Sequence, residues 1–341
     1  MKRKDDHIRE ALAQPTQSND FDRIRFMHRA IPAIAVPDVD TSVVCFERRF
    51  AYPVYINAMT GGTAQAKTIN EKLAKVAKRF GLMMASGSCS VAIKNPRSAP
   101  TFTPIRTLNP EGFVVANIGI SAPVSYAQKA VELLRANALQ VHMNAPQEVA
   151  MDEGDRDFSF WRANLKAMMD AVDVPIIAKE VGFGMSRETM EDLQTLGVDY
   201  IDVSGRGGTN FIAVENARSD APITGFENHG LSTVESLLEA KALQGMHVFA
   251  SGGVRHAYDV VKALALGAEM VGMSKFFLTL ATTYESDEIE RRVAAFLDDI
   301  RKIMAVLDCA DITSLRRLDM LYDADVEAFI RQRKAHHSPS Q

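Results

Sequence analysis

A repeated unit constrains the fold of this 341-residue chain more than any other feature: a short apolar run followed by a longer amphipathic one. Short runs rich in β-branched residues are typical of strands, and longer runs with a period of 3.6 residues are typical of helices. Strands are predicted over residues 54–57, 82–86, 113–118, 139–144, 175–181, 200–204, 248–251 and 270–273. Helices are predicted over 64–80, 125–136, 160–171, 187–196, 233–244 and 257–266, and helical sequence follows the eighth strand to the C-terminus.

Strands that alternate with helices predict an α/β fold with a parallel sheet. A closed eight-stranded barrel suits this length better than an open doubly wound sheet. An open dinucleotide-binding sheet would carry G-x-G-x-x-G after its first strand, whereas the sequence there is A-M-T-G-G over 58–62. We therefore predict a single (β/α)₈ barrel domain over 1–341. Its long loop over 205–230 is either an active-site lid or a mobile insertion, and the tail over 336–341 is predicted to be disordered.

Composition narrows the possible partners and the compartment. The net charge of −4 and the pI of about 6.1 do not indicate nucleic-acid binding, so local groups must hold any anionic ligand. Three distant cysteines form neither a metal motif nor a disulfide framework, which fits a reducing compartment. The charged N-terminus is not typical of a signal peptide, and charges interrupt the apolar stretch over 260–280. We expect a cytoplasmic protein without a membrane or nucleic-acid partner.

Polar side chains crowd the end of the fourth predicted strand. His142 and Asn144 are two residues apart, so they lie on one face of the strand, and Gln147 and Glu148 follow in the loop. Buried parallel strands are normally apolar, so this cluster needs an explanation. One interpretation is a hydrogen-bonded loop with a solvated glutamate. The other is phosphate binding by His142 and Asn144 with Mg²⁺ at Glu148, because Mg²⁺ prefers one or two carboxylates together with substrate phosphates.

The fifth predicted strand contains a lysine, Lys179. A buried ammonium group is costly unless an anion pairs with it. Lys179 could pair with Glu180 or with another carboxylate. The interpretation that we favour is an anionic ligand inside the barrel.

Glycines and small polar residues follow the last three predicted strands, with S-G-R-G-G-T over 204–209, S-G-G-V-R over 251–255 and G-M-S-K over 272–275. Loops after strands seven and eight form the usual phosphate site of such barrels, where glycines let backbone N–H groups approach the anion. Gly252 and Gly253 could instead serve only to turn the chain. The presence of such residues at successive strand ends favours a phosphate site.

The first three strand ends carry small side chains over 58–62, 86–90 and 117–119, which can lie against a flat ring. Cys89 has no adjacent histidine or cationic run to activate it, so we interpret it as a passive small residue. By itself, the charged run over 2–7 is typical of a solvated surface.

Together these segments resemble type 2 isopentenyl-diphosphate isomerases over nearly the whole chain. The most specific pieces are R-K-x-x-H over 3–7, A-M-T-G-G over 58–62, H-x-N-x-x-Q-E over 142–148 and K-E-x-G-x-G over 179–184. The glycine-rich pieces at 204–209 and 251–255 are shared more widely among flavin barrels, so they indicate FMN without selecting the reaction. The stretch C-S-V over 89–91 does not match the family pattern side chain by side chain.

The resemblance implies FMN, Mg²⁺ and conversion of isopentenyl diphosphate to dimethylallyl diphosphate in isoprenoid biosynthesis. It also implies a homo-oligomer, a tetramer or larger, and an N-terminal arm over 1–20 that reaches a barrel mouth, its own or a neighbour's. The residues it assigns to the flavin are Ala58, Met59, Thr60, Ser88, Asn117, Lys179, Ser204 and Thr209, with Gly252, Gly253, Arg255, Ser274 and Lys275 at the phosphate end. The residues it assigns to the substrate are Arg3, Lys4, His7, Ser88, Ser90, His142, Asn144 and Gln147, with Glu148 for Mg²⁺ and with His142, Gln147 and Lys179 as catalytic residues.

The mechanistic hypothesis is a 1,3-allylic proton shift without net redox change, in a pocket that excludes water from a cationic intermediate. Reduced FMN would supply negative charge beside the alkene, Lys179 would favour its anionic form, and NADPH or NADH would only reduce the flavin. The alternatives are an FMN-dependent 2-hydroxy-acid oxidase, for which the adjacent Arg255 and His256 are suggestive, and a non-catalytic flavin-binding barrel. A barrel dehydrogenase with a nucleophilic cysteine after the sixth strand is disfavoured, because 205–230 contains no cysteine.

Overall fold

A closed barrel of eight parallel strands forms the centre of the computed structural model, which describes the backbone of residues 2–337 and the side chains of residues 8–334. Three short strands precede the barrel: β1 (Ile24–Phe26), β2 (Val43–Cys45) and β3 (Arg48–Phe50). The barrel strands are β4 (Val54–Ile56), β5 (Met83–Ala85), β6 (Val114–Gly119), β7 (Ala138–Met143), β8 (Ile176–Glu180), β9 (Tyr200–Asp202), β10 (His247–Ala250) and β11 (Met270–Met273), and β12 (Met320–Tyr322) follows. Each barrel strand pairs in parallel with the next along the chain, and β11 pairs with β4 to close the ring. The predicted (β/α)₈ fold is confirmed.

Helices alternate with the barrel strands as predicted, and further helices lie at both ends of the chain and inside loops. The helices are α1 (Lys2–Ala13), α2 (Ala64–Phe80), α3 (Ser90–Lys94), α4 (Pro104–Thr107), α5 (Ser125–Leu134), α6 (Ala145–Ala150), α7 (Trp161–Asp170), α8 (Arg187–Thr195), α9 (Phe211–Asn216), α10 (Thr233–Ala240), α11 (Ala257–Ala265), α12 (Lys275–Thr283), α13 (Ser286–Val306), α14 (Ile312–Leu315) and α15 (Ala324–His337). Short 3₁₀ turns cover 20–23, 36–38 and 96–101. The sequence analysis did not predict α6 and α9, which both lie at the mouth of the barrel.

Local capping explains where the barrel helices begin and end. Helix α2 begins after Thr63, whose hydroxyl accepts the Ala66 N–H at 3.1 Å, and ends before Gly81, which adopts a φ of 64°. Helix α10 begins with a capping box, in which Ser232 and Glu235 each accept the other's backbone N–H. Helix α10 ends at residue 240, four residues before the predicted end at 244.

Alternate residues of each barrel strand point inwards and outwards, which divides the core into two layers. Outward residues such as Val114 and Ile201 pack against the helices in the main core cluster. Inward residues from the first half of the strands, among them Met83, Ile177 and Phe249, form a separate apolar cluster inside the barrel. The amino half of the barrel interior is therefore filled by apolar side chains.

A hairpin of β2 and β3, absent from the sequence prediction, contributes to this inner cluster. Its two turn residues, Phe46 and Glu47, have φ values of 51° and 56°, as a two-residue hairpin with a primed turn requires. The Phe46 ring stacks on Phe113 and Tyr200, with centroid distances of 4.8 and 4.2 Å. The hairpin thereby closes the amino end of the barrel with aromatic contacts.

The two ends of the chain are joined beside the barrel, because β1 pairs antiparallel with β12. Helix α15 continues to His337, so the predicted disordered tail begins within a helix, and residues 338–341 lie outside the described part. No helix in the part of the chain that the structure describes combines the length and apolar character needed to cross a bilayer.

Candidate active site

The carboxyl ends of the barrel strands bring polar side chains together inside the mouth of the barrel. Strand register places Asn117 of β6 beside Gln140 of β7, and His142 of β7 beside Lys179 of β8. Lys179 in turn lies beside Asp202 of β9. Residues two apart on a strand face the same side, so the polar layer of Asn117, Gln140 and Lys179 points into the barrel. It lies directly above the apolar inward residues of the same strands.

Asp202 is the most buried charged group of this layer, with 0% exposure. Its carboxylate accepts hydrogen bonds from Tyr55 Oη at 2.6 Å, Asn57 Nδ2 at 2.8 Å and Ser251 Oγ at 2.6 Å. Burial and the neighbouring Asp202 raise the pKa of Tyr55 well above its usual value, so the phenol remains a donor. The sequence analysis missed Asp202, whose carboxylate is satisfied only after the barrel closes.

Lys179 lies in the barrel with 6% exposure, close to Asp202. Its Nζ donates to the carbonyl of Glu180 at 2.6 Å and lies 3.8 Å from Asp202 Oδ2. The carboxylate of Glu180 accepts the Phe183 N–H at 2.6 Å. Burial raises the pKa of Glu180. The structure thus contains a pairing of Lys179 with Asp202, and the interpretation that Lys179 faces an anionic ligand stays a prediction.

His142 stands at the end of β7 in contact with Asn117. The distance from His142 Nδ1 to Asn117 Oδ1 is 2.9 Å. The other ring nitrogen, Nε2, lies 3.1 Å from the position that a Cβ on Gly119 would occupy. Glycine at this position leaves room for the imidazole beside β6.

Helix α6 carries the polar cluster that follows β7. Asn144 Nδ2 donates to Glu148 Oε1 at 2.8 Å and lies 3.4 Å from Gln147 Oε1. The second carboxylate oxygen of Glu148 accepts the Asp155 N–H at 3.0 Å. Glu148 is partly exposed, whereas Gln147 is buried. Both residues thus sit at the mouth, and Glu148 is the one open to solvent.

A carboxylate that the sequence analysis missed completes this cluster. Glu215 of α9 is 2% exposed, and its Oε1 accepts a hydrogen bond from Gln147 Nε2 at 2.7 Å. Arg218 donates to the other oxygen at 2.7 Å. An apolar residue in this polar loop, Ile212, is the sequence signal that could have indicated a helix, and in the structure it is buried against α6.

The loop over 205–230 is an ordered structure built around α9. Asn210 caps α9 by accepting the Ala213 N–H at 3.0 Å and donates to the Glu227 carbonyl at 2.7 Å. Asn216, the last residue of α9, donates to Glu227 Oε1 at 2.8 Å. These side chains fold the loop back on itself, so Glu215 faces the mouth.

The N-terminal arm lies over the mouth of its own barrel. The carbonyl of Gln14 accepts a hydrogen bond from Lys275 Nζ, and the Gln14 side chain exchanges two hydrogen bonds with the Asn210 backbone, at 3.0 and 2.8 Å. Asn19 Nδ2 donates to the Gly253 carbonyl at 2.9 Å. The side chains of Arg3, Lys4 and His7 lie outside the described residues, although their backbone belongs to α1.

A buried side-chain oxygen without a hydrogen-bond partner among the described residues lies in the loop after β4, where the flavin is predicted. Thr60 Oγ1 has no hydrogen-bond partner among the described residues, although it is buried. A Cβ on Gly87 would lie 2.6 Å from the Thr60 carbonyl carbon, so the loops after β4 and β5 are in close contact. An oriented hydroxyl, close-packed glycine loops and the buried Lys179 fit a flat ring with polar edges. Beside them, Ser88 Oγ lies 3.3 Å from Ser90 Oγ, and Ser274 Oγ lies 3.4 Å from the Ala58 carbonyl. Of the other residues assigned to the ring, Met59 follows β4, whereas Ser204 and Thr209 lie in the loop after β9.

The predicted phosphate end consists of glycine loops and one engaged arginine. Gly252 has a φ of 87°, and a Cβ there would lie 2.1 Å from the Gly205 carbonyl oxygen, so only glycine fits. The guanidinium of Arg255 bonds to Asp22 at 2.8 and 2.5 Å and to Asp259 at 2.8 Å. The contact with Arg255 holds the pKa of Asp22 well below its usual range. Backbone groups fit an anion here, whereas the Arg255 side chain is turned towards two carboxylates.

Comparisons with known proteins agree with this geometry. A family of FMN-dependent dehydrogenases matches residues 115–321 of the chain, which supports FMN as the cofactor. Isopentenyl-diphosphate delta-isomerase from Staphylococcus haemolyticus (strain JCSC1435) is 48% identical over 334 residues, covering 97% of this chain and 96% of that protein. The protein of the same name from Staphylococcus aureus (strain JH9) is 47% identical over 334 residues, with the same coverage.

Solved structures of mandelate oxidase resemble the fold. One covers 94% of this chain and 96% of its own, with a TM-score of 0.64 and 16% identity. Another, bound to (S)-4-hydroxymandelic acid, covers 94% and 97%, again with a TM-score of 0.64 and 16% identity. At this identity the likeness concerns the barrel architecture alone.

Proposed function

The chain belongs to the FMN-dependent dehydrogenase family and, within its closer relatives, to the isopentenyl-diphosphate delta-isomerases, and we propose that it converts isopentenyl diphosphate to dimethylallyl diphosphate. The observation that carries the proposal is that the mouth of the barrel has a buried base and a partly exposed rim. Lys179 and Asp202 are buried at its base, whereas Glu148 and His142 stand partly exposed at its rim. Such a site suits a ligand with one apolar reacting end and one anionic end.

Reduced FMN, when bound, would supply negative charge beside the alkene and a group that can carry a proton. Lys179 would hold the ring together with Thr60, whose buried hydroxyl has no partner within the described part of the chain. The ammonium group of Lys179 would favour a negatively charged ring, since an opposite charge nearby stabilises the ionised form of a group. The glycine loops at 205–208 and 252–253 would receive the phosphate through backbone N–H groups.

The rim residues would anchor the diphosphate through a cation and direct contacts. Glu148 offers a single, partly exposed carboxylate held by Asn144 and Asp155, which suits Mg²⁺ shared with substrate phosphates. His142 and Asn144 would contact the diphosphate, as would Arg3, Lys4, His7, Ser88 and Ser90. Binding energy at this remote end would orient the alkene at the base of the mouth.

Gln147 and Glu215 would act near the reacting carbons. Their hydrogen bond of 2.7 Å fixes the Gln147 amide with its nitrogen towards the carboxylate. The pair is buried, so it excludes water from a site where a tertiary cation would otherwise be trapped.

Several finer features belong to the same proposal. NADPH or NADH would serve as the flavin reductant, the protein would be a cytoplasmic homo-oligomer of four or more copies, and the reaction would belong to isoprenoid biosynthesis. Residues 1–341 would form one domain, with the arm over 1–20 acting on its own barrel, because Gln14 and Asn19 bond to loops of the same chain.

The alternative of a 2-hydroxy-acid oxidase is weakened by one observation. That chemistry needs an arginine available for a substrate carboxylate and a histidine base. Here Arg255 is engaged by Asp22 and Asp259, and His256 caps α11 by accepting the Asp259 N–H at 3.3 Å. A non-catalytic flavin barrel would leave the buried Gln147–Glu215 pair without a role.

An anaerobic product assay tests the proposal. Purified protein is incubated with isopentenyl diphosphate, FMN and Mg²⁺, with and without NADPH. Catalytic formation of dimethylallyl diphosphate, with NADPH consumed only to reduce the flavin, is the expected result. Protein that holds reduced FMN but forms no product would overturn the function and leave the fold and cofactor intact.

A further inference from the structure

A continuous line of hydrogen bonds crosses the barrel interior from Asp202 on β9 to His142 on β7. It runs through the side-chain amides of Asn57, Gln140 and Asn117. The successive distances are 2.8 Å from Asn57 Nδ2 to Asp202 Oδ2, 3.3 Å from Gln140 Nε2 to Asn57 Oδ1, 2.8 Å from Asn117 Nδ2 to Gln140 Oε1, and 2.9 Å from His142 Nδ1 to Asn117 Oδ1. Asp202, the three amides and their immediate surroundings are buried, with at most 3% exposure of each of these four residues.

The orientation of the first amide follows from groups whose roles are unambiguous. A carboxylate only accepts hydrogen bonds, so Asn57 must turn its NH₂ group towards Asp202. The backbone N–H of Ala58 only donates, and it lies 2.7 Å from Asn57 Oδ1. Asn57 is therefore fixed at both ends, with its oxygen available to the next member of the line.

The same polarity continues through the next two amides to the histidine. Gln140 donates to the Asn57 oxygen, so its own oxygen faces Asn117. Asn117 donates to that oxygen, so its remaining oxygen faces His142 Nδ1. An amide oxygen only accepts, so the proton in the last hydrogen bond must belong to the imidazole.

We propose that Asp202 is a positioning residue which, through Asn57, Gln140 and Asn117, holds His142 as the tautomer with its proton on Nδ1. The choice of tautomer at a histidine is set by the hydrogen bond that the other ring nitrogen makes, and here that bond is traced to a buried acid. The same Asp202 oxygen lies 3.8 Å from Lys179 Nζ. One buried carboxylate thus lies beside Lys179 and at the start of the line that leads to His142.

The fixed tautomer has a consequence for the ligand, and this step rests on the proposed function. With Nδ1 donating to Asn117, a diphosphate oxygen would meet the ring at Nε2. In a charged ring, Nε2 would donate to that oxygen while Nδ1 keeps its hydrogen bond to Asn117. A charge-assisted hydrogen bond of this kind is stronger than a neutral one.

Nitrogen-15 NMR of histidine-labelled protein tests the tautomer directly, at a pH where the ring is neutral. The signal of His142 is assigned by its disappearance in His142→Gln. A pyrrole-like Nδ1 and a pyridine-like Nε2 are expected in the wild-type protein. In Gln140→Leu the line is cut at its midpoint, and the protonated nitrogen should change or become mixed. A wild-type His142 protonated on Nε2, or a signal unchanged by Gln140→Leu, would overturn the proposal.

Kinetics of the same variant separate positioning from general damage. Gln140→Leu should raise KM for isopentenyl diphosphate about tenfold, the effect of losing one well-oriented charged hydrogen bond, with kcat close to the wild-type value. Ile177→Ala is the matched control, because Ile177 is the buried inward neighbour of Gln140 on β8 and makes no part of the line. It should lose stability without a tautomer change. If Gln140→Leu does not fold, the tautomer of His142 is measured in the variant with the unbranched side chain, Gln140→Met. The wild-type spectrum tests the proposed tautomer in either case. A wild-type protein that shows the expected tautomer but does not convert isopentenyl diphosphate would contradict the proposed function and leave the positioning role of Asp202 intact.

Discussion

The two halves of the barrel interior are built from the same strands and the same alternation, yet they differ in almost every other respect. The amino half is filled by apolar side chains such as Phe249 and Met270 and is closed by Phe46. The carboxyl half, one inward position further along the strands, holds Asp202 and Lys179. A barrel can thus be stabilised at one end while the other end carries costly polar groups for function.

The carboxyl half also contains the local features that a stable core would avoid. Ser204, directly after β9, has a φ of 34°, which is rare for a residue other than glycine. Thr60 Oγ1 is buried without a partner among the described residues. Strain and unsatisfied groups persist where the surrounding structure enforces them, typically at functional sites. The comparison predicts that substitutions in the carboxyl half lower activity, whereas substitutions in the amino half lower stability.

The largest expected effect is on activity, from Lys179→Ala. The charge beside the flavin site is lost, while Asp202 keeps its hydrogen bonds from Tyr55, Asn57 and Ser251. We expect kcat/KM to fall by roughly 10²- to 10³-fold, the range typical of losing one preorganised electrostatic group. The measurement is an anaerobic assay with pre-reduced flavin. Activity above a tenth of wild type would remove Lys179 from the catalytic residues.

The next effect is on stability, from Phe46→Ala at the opposite end. Loss of the ring removes the stacked contacts with Phe113 and Tyr200, which should lower the free energy of unfolding by about 3 kcal/mol. Denaturant unfolding measures the loss. KM and flavin content of the folded protein should not change, and a large rise in KM would mean that the two halves are coupled. Val44→Ala, on the same hairpin but 69% exposed, is the control and should change stability little.

A smaller effect, confined to the rim, is expected for Glu148→Gln. The amide keeps the shape of the side chain but offers Mg²⁺ a weaker ligand, so half-saturating Mg²⁺ should rise about tenfold or more. The titration is run at saturating isopentenyl diphosphate. Glu153→Gln, at an exposed acid in the turn that follows α6, is the control. Equal Mg²⁺ dependence in wild type and Glu148→Gln would exclude this carboxylate as the ligand.

The strands could be predicted from the sequence because they leave local signals, and the candidate site residues were chosen from local signals as well. Strands buried on two faces are short apolar runs, and all eight predicted runs overlap an observed barrel strand, with ends shifted by at most two residues. Polar residues that interrupt such runs, such as Lys179 and His142, are recognisable for the same reason.

The rest could not be predicted, because it depends on contacts between distant parts of the chain. Asp202 looks like an ordinary strand residue until Tyr55, 147 positions earlier, reaches it across the barrel. Glu215 meets Gln147 across 68 positions. The resemblance assigns Arg255 to the phosphate end, but it gives no sign of Asp22, 233 positions earlier, which bonds to Arg255. Closure of the barrel and docking of the arm decide these pairs.

The smallest expected effect concerns Cys45, in the hairpin at the amino end. Burial raises the pKa of this thiol from 9.0 to about 12, so the folded protein keeps a proton that the unfolded chain loses as pH rises. The buried thiol therefore contributes to the free energy of unfolding, fully below pH 9 and less and less as pH rises towards 12. At pH 10 the loss is about 1 kcal/mol.

Unfolding of Cys45→Ala and wild type at pH 8 and pH 10 measures this contribution. The wild-type protein should lose more stability between the two pH values than the variant does, by that same amount. Asp202 and Lys179 in the other half pair charge with charge, whereas the apolar half keeps its one buried thiol neutral. An identical pH dependence in the two proteins would mean that water reaches the hairpin. The contrast between an apolar amino half without water and a polar carboxyl half would then be wrong.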